Sequence, residues 1–293
     1  RSLEGDISAQ EKFHILRQHF GTWILKPLRE VSECPEPRMA GKKWNTIKYA
    51  RVPSKAMKKN TPHFLKHDRQ GFEKYLIDVE SGKKKISGAT LFPHEIIAQI
   101  IKASETIKGA DEDQKFPELA AFKKRVAETE LRVAEQQWNS LISSIKEAGK
   151  IQNSMAICDV SGSMGYLGGE CPAKEPPPIF VSVALSLVLA SVSAPPFNAG
   201  FISFSESPEF VKLDLENKSL YDILQDMIKS PWGMNTDLNA VFVKLLLPLA
   251  KANNVKQEDM IKRLFIFSDM QFDESQKGSN SLFDPESKTL EWN

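Results

Sequence analysis

Apolar and polar positions divide the chain into two kinds of pattern. Before residue 150 the apolar residues recur every three or four positions, which is the period of a helix face. Ile7, Phe13, Leu16, Phe20, Ile24 and Leu28 predict a helix over 7–33, with Pro27 as a kink or break. Cys34-Pro35-Glu36-Pro37 reads as a linker. Short helices follow, one starting near Ser54 and one over 68–78 with Phe72, Tyr75 and Leu76 on one face. Gly82 to Lys85 reads as an exposed turn. Pro93 opens another helix, and 109–116 is polar. A long helix is predicted over 117–148, its buried stripe marked by Leu119, Phe122, Val126, Val133, Trp138, Leu141 and Ile145, with Gly149 able to cap it.

After residue 150 the pattern changes to short apolar runs alternating with helical stretches, which implies a mostly parallel sheet flanked by helices. The predicted strands are 153–159, 199–204, a short edge strand 209–213, and 263–268; the helices are 179–193, 219–229 and 237–252. Cys171 to Pro178 is a loop between the first strand and its helix. The apolar run Ile179 to Val192 falls short of the ~20 residues that span a bilayer and reads as a buried helix.

The densest chemistry lies at the end of the first strand. Met155 to Cys158 stops at Asp159, and Ser161 and Ser163 follow, split by Gly162. An Asp-x-Ser-x-Ser turn gathers three oxygen ligands, the donors a hard divalent cation takes. Two later loops add Thr236, in a Gly-x-x-Thr turn before a helix, and Asp269, at the end of another apolar strand. In open parallel sheets ligands collect at the C-terminal strand ends where the strand order reverses.

That order of motifs resembles the metal-ion-dependent adhesion site of von Willebrand factor type A domains. The resemblance implies an α/β, Rossmann-type domain in which Ser161 and Ser163 bind Mg²⁺ (or Mn²⁺) directly. Thr236 would bind directly or through water, and Asp159 and Asp269 largely through water or hydrogen bonds. It also implies two more strands and closing helices after Asp269, so the domain reads as truncated.

A second resemblance covers most of the chain. Trp44 to Ile47, Ser54 to Met57, Phe64 to Asp68, Phe72 to Leu76, Gly82-Lys83, and Gly88 with Pro93-His94-Glu95 lead to a helix carrying Trp138 that runs into the metal-site strand. This looks like a family of plant and fungal proteins joining a helical region to a C-terminal A domain. It is distantly similar to the Ro ribonucleoprotein, whose helical (TROVE or HEAT-like) repeats bind RNA. The implied domains are a helical region 1–149 and an incomplete A domain 150–293.

Composition narrows the function. The 293 residues are 41% hydrophobic and 26% charged, with net charge +1, which predicts no overall affinity for polyanions. Locally, Arg38 to Lys85 holds fourteen Lys and Arg against four acids, an excess of ten. Lys42, Lys43, Lys48, Arg51, Lys55, Lys58 and Lys59, with Trp44 as a stacking ring, are the candidate nucleic-acid site. The alternative is a solvated face whose aromatics belong to the core. All five histidines precede residue 95, far from Ser161 and Ser163, and no Gly-rich phosphate loop exists, so the reading is non-enzymatic. His63 and His67, four apart, read as surface residues. The three cysteines fit neither a zinc site nor a disulfide framework, which points to a reducing compartment, cytoplasmic or nuclear. The chain opens on Arg rather than Met and so reads as a piece of something longer.

The leading expectation is metal-dependent binding of a protein partner whose carboxylate completes the Mg²⁺ octahedron. RNA binding of Ro type through 38–85 is the alternative. Neither a membrane nor a small-molecule substrate is expected.

Overall fold

The structure is a computed structural model. It describes residues 8–269 apart from 89, 113–114, 150, 152, 169–175, 196, 205–207, 230–240 and 253. The chain is mostly helical, with a small mixed sheet in its C-terminal half, and it divides into two compact units, Arg1–Thr90 and Leu91–Asn293.

The first unit is helical. α1 (Ala9–Phe20) starts on a capping box in which Ser8 and Glu11 satisfy each other's backbone N–H groups. It continues through a π turn, Gly21–Leu25, into α2 (Lys26–Val31). Pro27 therefore neither breaks nor ends the helix. Its ring would press on the carbonyl four residues back, and the widened turn just before it makes the room. The linker expected at Cys34 to Pro37 is instead the start of α3 (Pro35–Ala40), where proline's fixed φ suits the first helical turn.

α4 (Ser54–His67) and α5 (Arg69–Glu80) enclose the core of this unit. Tyr49, Phe64, Phe72 and Tyr75 meet there ring against ring, with Tyr49 centred 5.2 Å from Phe64 and 5.0 Å from Phe72. Asp68 ends one helix and starts the next. Its carboxylate accepts from the Gly71 N–H at 3.3 Å and from the Tyr49 hydroxyl at 2.8 Å.

The second unit opens with two packed helices, α6 (Pro93–Glu112) and α7 (Pro117–Ala148). Among the described residues its sheet has four strands: β1 (Ser154–Asp159), β2 (Gly200–Phe204), β3 (Phe210–Lys212) and β4 (Arg263–Phe267). The order is β3-β2-β1-β4, with β2, β1 and β4 parallel and β3 antiparallel on the edge.

Every residue of β1 is buried because both its faces are covered. Ala156 and Cys158 face a large core formed with α6, α7, α8 (Pro178–Val192) and α9 (Leu220–Lys229). Met155 and Ile157 face a smaller cluster with Ile202 and Val241. The alternation follows from the two-residue period of a strand. Around this core α7 is buried from Ala127 to Ile142, but Leu119 and Phe122 in its first turns are exposed, so the stripe read from the sequence starts too early.

Candidate functional site

β1 leaves its chain at Asp159, in the middle of the sheet. From β1 the path moves to one side for β2 and β3 and returns on the other side for β4, so the strand order reverses between β1 and β4. The register pairs Cys158 with Phe267. Asp159 and Ser268 therefore come out side by side at the same end of the sheet. The Ser268 hydroxyl donates to Asp159 Oδ2 at 2.5 Å and closes the gap between the two strands.

The turn after β1 is held in shape by its own backbone. Ser161 N–H donates to Asp159 Oδ1 at 2.9 Å, the local bond that Asp side chains form with the backbone two residues on. A 3₁₀ turn, Gly162–Met164, then points the buried Met164 into the core and leaves Ser163 exposed. Gly165 closes it at φ 91°, a left-handed conformation, and a side chain there would press on Pro177. The Ser161 and Ser163 hydroxyls end 3.1 Å apart. Below the turn, Ser182 of α8 donates to the Phe267 carbonyl at 2.8 Å and lies 3.3 Å from Cys158 Sγ, which ties the helix to both strands. Burial pushes the Cys158 thiol up to about 11.

Asp159 is fully buried. Among the described residues its carboxylate has two partners, a backbone N–H and a hydroxyl, and no Lys or Arg pairs with it. A buried carboxylate held only by neutral donors is costly unless a cation sits nearby. Oxygen donors set around such a group suit Mg²⁺ or Mn²⁺. Three of the five residues singled out in the sequence, Asp159, Ser161 and Ser163, are thus linked by direct bonds, and Asp269 is the residue that follows Ser268 in the chain. Thr236 lies outside the described residues. Among those described, no group of three His, Cys, Asp or Glu could hold a metal ion, so a cation here would depend on hydroxyls. Ser268 was given no role in the sequence reading. Its part depends on the pairing of β1 with β4, which no local spacing reveals.

The basic segment is arranged differently. Lys48 and Arg51 both pair with Glu33, at 2.7 and 2.8 Å, and Arg38 stands 3.6 Å from the same carboxylate. The Lys48 ammonium, then Arg51 and Arg38, hold the Glu33 carboxyl below the usual range. Trp44 stacks on His67, ring centres 4.4 Å apart, and Tyr49 and Phe64 are core. Lys42, Lys43, Lys55 and Lys59 are exposed and Lys58 is half-buried.

Fold and site together define a helical chain with a small α/β sheet that carries a carboxylate–hydroxyl turn at its reversal point. A family model described as a domain of unknown function (DUF2828) matches residues 2–151, half of the chain, and the chain belongs to that family. A second, also a domain of unknown function (DUF7788), matches residues 153–292. The chain is similar to an uncharacterised protein of Acanthamoeba polyphaga mimivirus, 28% identical over 275 residues, which cover 89% of this chain and 42% of that protein. The chain thus spans less than half the length of this relative. No solved structure matches it.

These findings correct the resemblance drawn from the sequence. The matching families are the two domains of unknown function rather than von Willebrand A or Ro families, and a viral relative argues against a plant and fungal family. The motif misled for a physical reason. A short Asp- and Ser-bearing turn at the end of a central parallel strand is a general way to gather oxygens at a strand-order reversal, whatever the ancestry.

Proposed function

We propose that the strand-end turn of the second unit binds a divalent cation, Mg²⁺ or Mn²⁺, and through it a carboxylate of a protein partner, without catalysing a reaction. The observation that carries this reading is the fully buried Asp159 carboxylate, held by two neutral donors beside the paired Ser161 and Ser163 hydroxyls. In this reading Ser161 and Ser163 hold the ion, Asp159 and Asp269 supply negative charge behind them, and Thr236 adds a further oxygen. The fold around the site is then an open sheet of Rossmann type, with its crevice between β1 and β4. A cation held largely by neutral hydroxyls keeps much of its charge for an incoming carboxylate. Among the described residues no helix is long and apolar enough to cross a membrane.

Calorimetric titration with Mg²⁺ tests the site. The wild-type chain should take up one ion, and Ser161→Ala and Ser163→Ala should bind it markedly more weakly. Equal affinity in all three would remove the assignment. Partner recovery with and without EDTA, identifying protein and RNA separately, then tests the function. Metal-bridged binding is lost with EDTA, whereas RNA held by 38–85 survives EDTA and falls steeply with salt. The second outcome has the weaker support, because Glu33 engages Lys48 and Arg51 and His67 covers a face of Trp44.

A further inference from the structure

The continuous helix Ala9–Val31 buries none of its residues. Its half-buried positions are Ile15, Gly21 and Leu25, while its largest apolar side chains stand in solvent. Phe13, Leu16, Phe20, Ile24, Leu28 and Val31 form an exposed stripe, with Val31 80% exposed, and Trp23, 73% exposed, flanks it. Contiguous exposed apolar stripes of this extent are rare on monomers and mark interaction sites.

The stripe has a second property. Its spacings run three, four, four, four, three, so it reads the same from either end about Thr22. A two-fold axis crossing a helix at right angles imposes this symmetry, because it places each residue against the one equally far on the other side of the axis. We propose that a second copy of this chain docks on the stripe, the two helices antiparallel and crossing at the level of Thr22. Phe13 then meets the partner's Val31, Leu16 the partner's Leu28, and Phe20 the partner's Ile24.

The size of the surface agrees. Aromatic side chains bury about 150–250 Å² each, so the stripe and Trp23 offer several hundred Å² per copy, the order of the ~800 Å² per partner of a standard interface. Charge does not single out an anionic membrane: the helix holds Lys12, Arg17, Lys26 and Arg29 against Glu11 and Glu30, an excess of two. The two-fold spacing, which a membrane surface does not require, selects a second copy.

Light scattering behind size exclusion, run on the full chain over a range of concentrations, should show a dimer that dissociates on dilution. Leu16→Asp combined with Leu28→Asp changes two exposed residues, so the far-UV spectrum should be unchanged and the chain monomeric. Orientation is read by cross-linking, with Cys34 and Cys171 replaced by serine. Oxidising a mixture of Leu16→Cys and Leu28→Cys chains should join one to the other, and neither should join to itself. In the antiparallel pair two copies of position 16 lie about 18 Å apart along the axis, beyond disulfide reach. A chain monomeric at every concentration overturns the proposal, including one that pellets with phosphatidylserine vesicles. So does a dimer that survives the double aspartate, or one in which Leu16→Cys links to itself.

Discussion

At the scale of single residues the bonding of the site is legible in the sequence where it is local. Asp159, Ser161 and Ser163 sit within five positions, and their bonds to one another are fixed by the turn itself. Ser268 lies more than a hundred positions away and reaches Asp159 because Cys158 pairs with Phe267. Asp159 also yields the sharpest residue-scale prediction. Asp159→Asn keeps the shape and the acceptor for Ser161 N–H but removes a buried charge that, among the described residues, is held only by a backbone N–H and a hydroxyl. Without metal, the variant should be at least as stable as the wild type in urea. Mg²⁺ at about 100 times its dissociation constant should stabilise the wild type by about 2.7 kcal/mol and leave the variant unmoved. A variant that gains the same amount from Mg²⁺ would show that the cation lies elsewhere. Cys158 offers an independent check on the packing below the turn. With its thiol pushed up to about 11, native Cys158 should react with iodoacetamide at pH 8 on the order of a hundredfold more slowly than in urea. Native labelling of Cys158 as fast as that of the half-buried Cys34 would contradict its burial.

At the scale of elements the reading succeeded where punctuation residues were strong. Pro117 and Gly149 bound α7, and the apolar run ending in Asp159 is β1. It failed where the same residues have two uses. Prolines 35 and 37 suggested a linker and instead start α3. Periodicity also shows that a face is apolar without showing what covers it, which is why Leu119 and Phe122 read as part of a buried stripe and are exposed, as is the periodic stripe from Phe13 to Leu28. The junction of α4 and α5 depends on one side chain. Asp68 caps α5 through Gly71 N–H and accepts from Tyr49, whose hydroxyl its own burial and this carboxylate keep protonated well above the usual tyrosine range. Asp68→Ala removes a helix cap, worth about 1 kcal/mol, and strands a part-buried hydroxyl, worth about 1–3 kcal/mol. Together these predict a loss of about 2–4 kcal/mol in chemical unfolding. Tyr49→Phe made with it should recover the hydroxyl's share. A double variant no more stable than Asp68→Ala would show that the Tyr49 bond contributes nothing.

At the scale of the whole molecule two boundaries run through the same chain. The family models meet near residue 152, where the helical pattern gives way to strands. The compact units divide at Thr90 and Leu91. The difference has a physical origin in α6 and α7, which belong to the helical half by sequence and to the sheet by packing. Ile96, Ile97, Ile100 and Ile101 of α6, with Ala134, Trp138 and Ile142 of α7, share one core with Ala156, Cys158, Phe180 and Val183. A fragment beginning at residue 153 would expose the side of α8 that these residues cover. Fully burying one large apolar side chain is worth roughly 1.5–3 kcal/mol, and a domain's whole stability is only about 5–15 kcal/mol. The seven residues lost with α6 and α7 are more than enough to remove it. The fragment 91–293 should therefore melt cooperatively and resist protease, while 153–293 should be aggregated or unfolded although it contains the whole strand-end turn. Circular dichroism melts of the two fragments decide it. A 153–293 fragment melting cooperatively at the temperature of 91–293 would show that the sheet stands without α6 and α7, and that the family boundary is also the folding boundary.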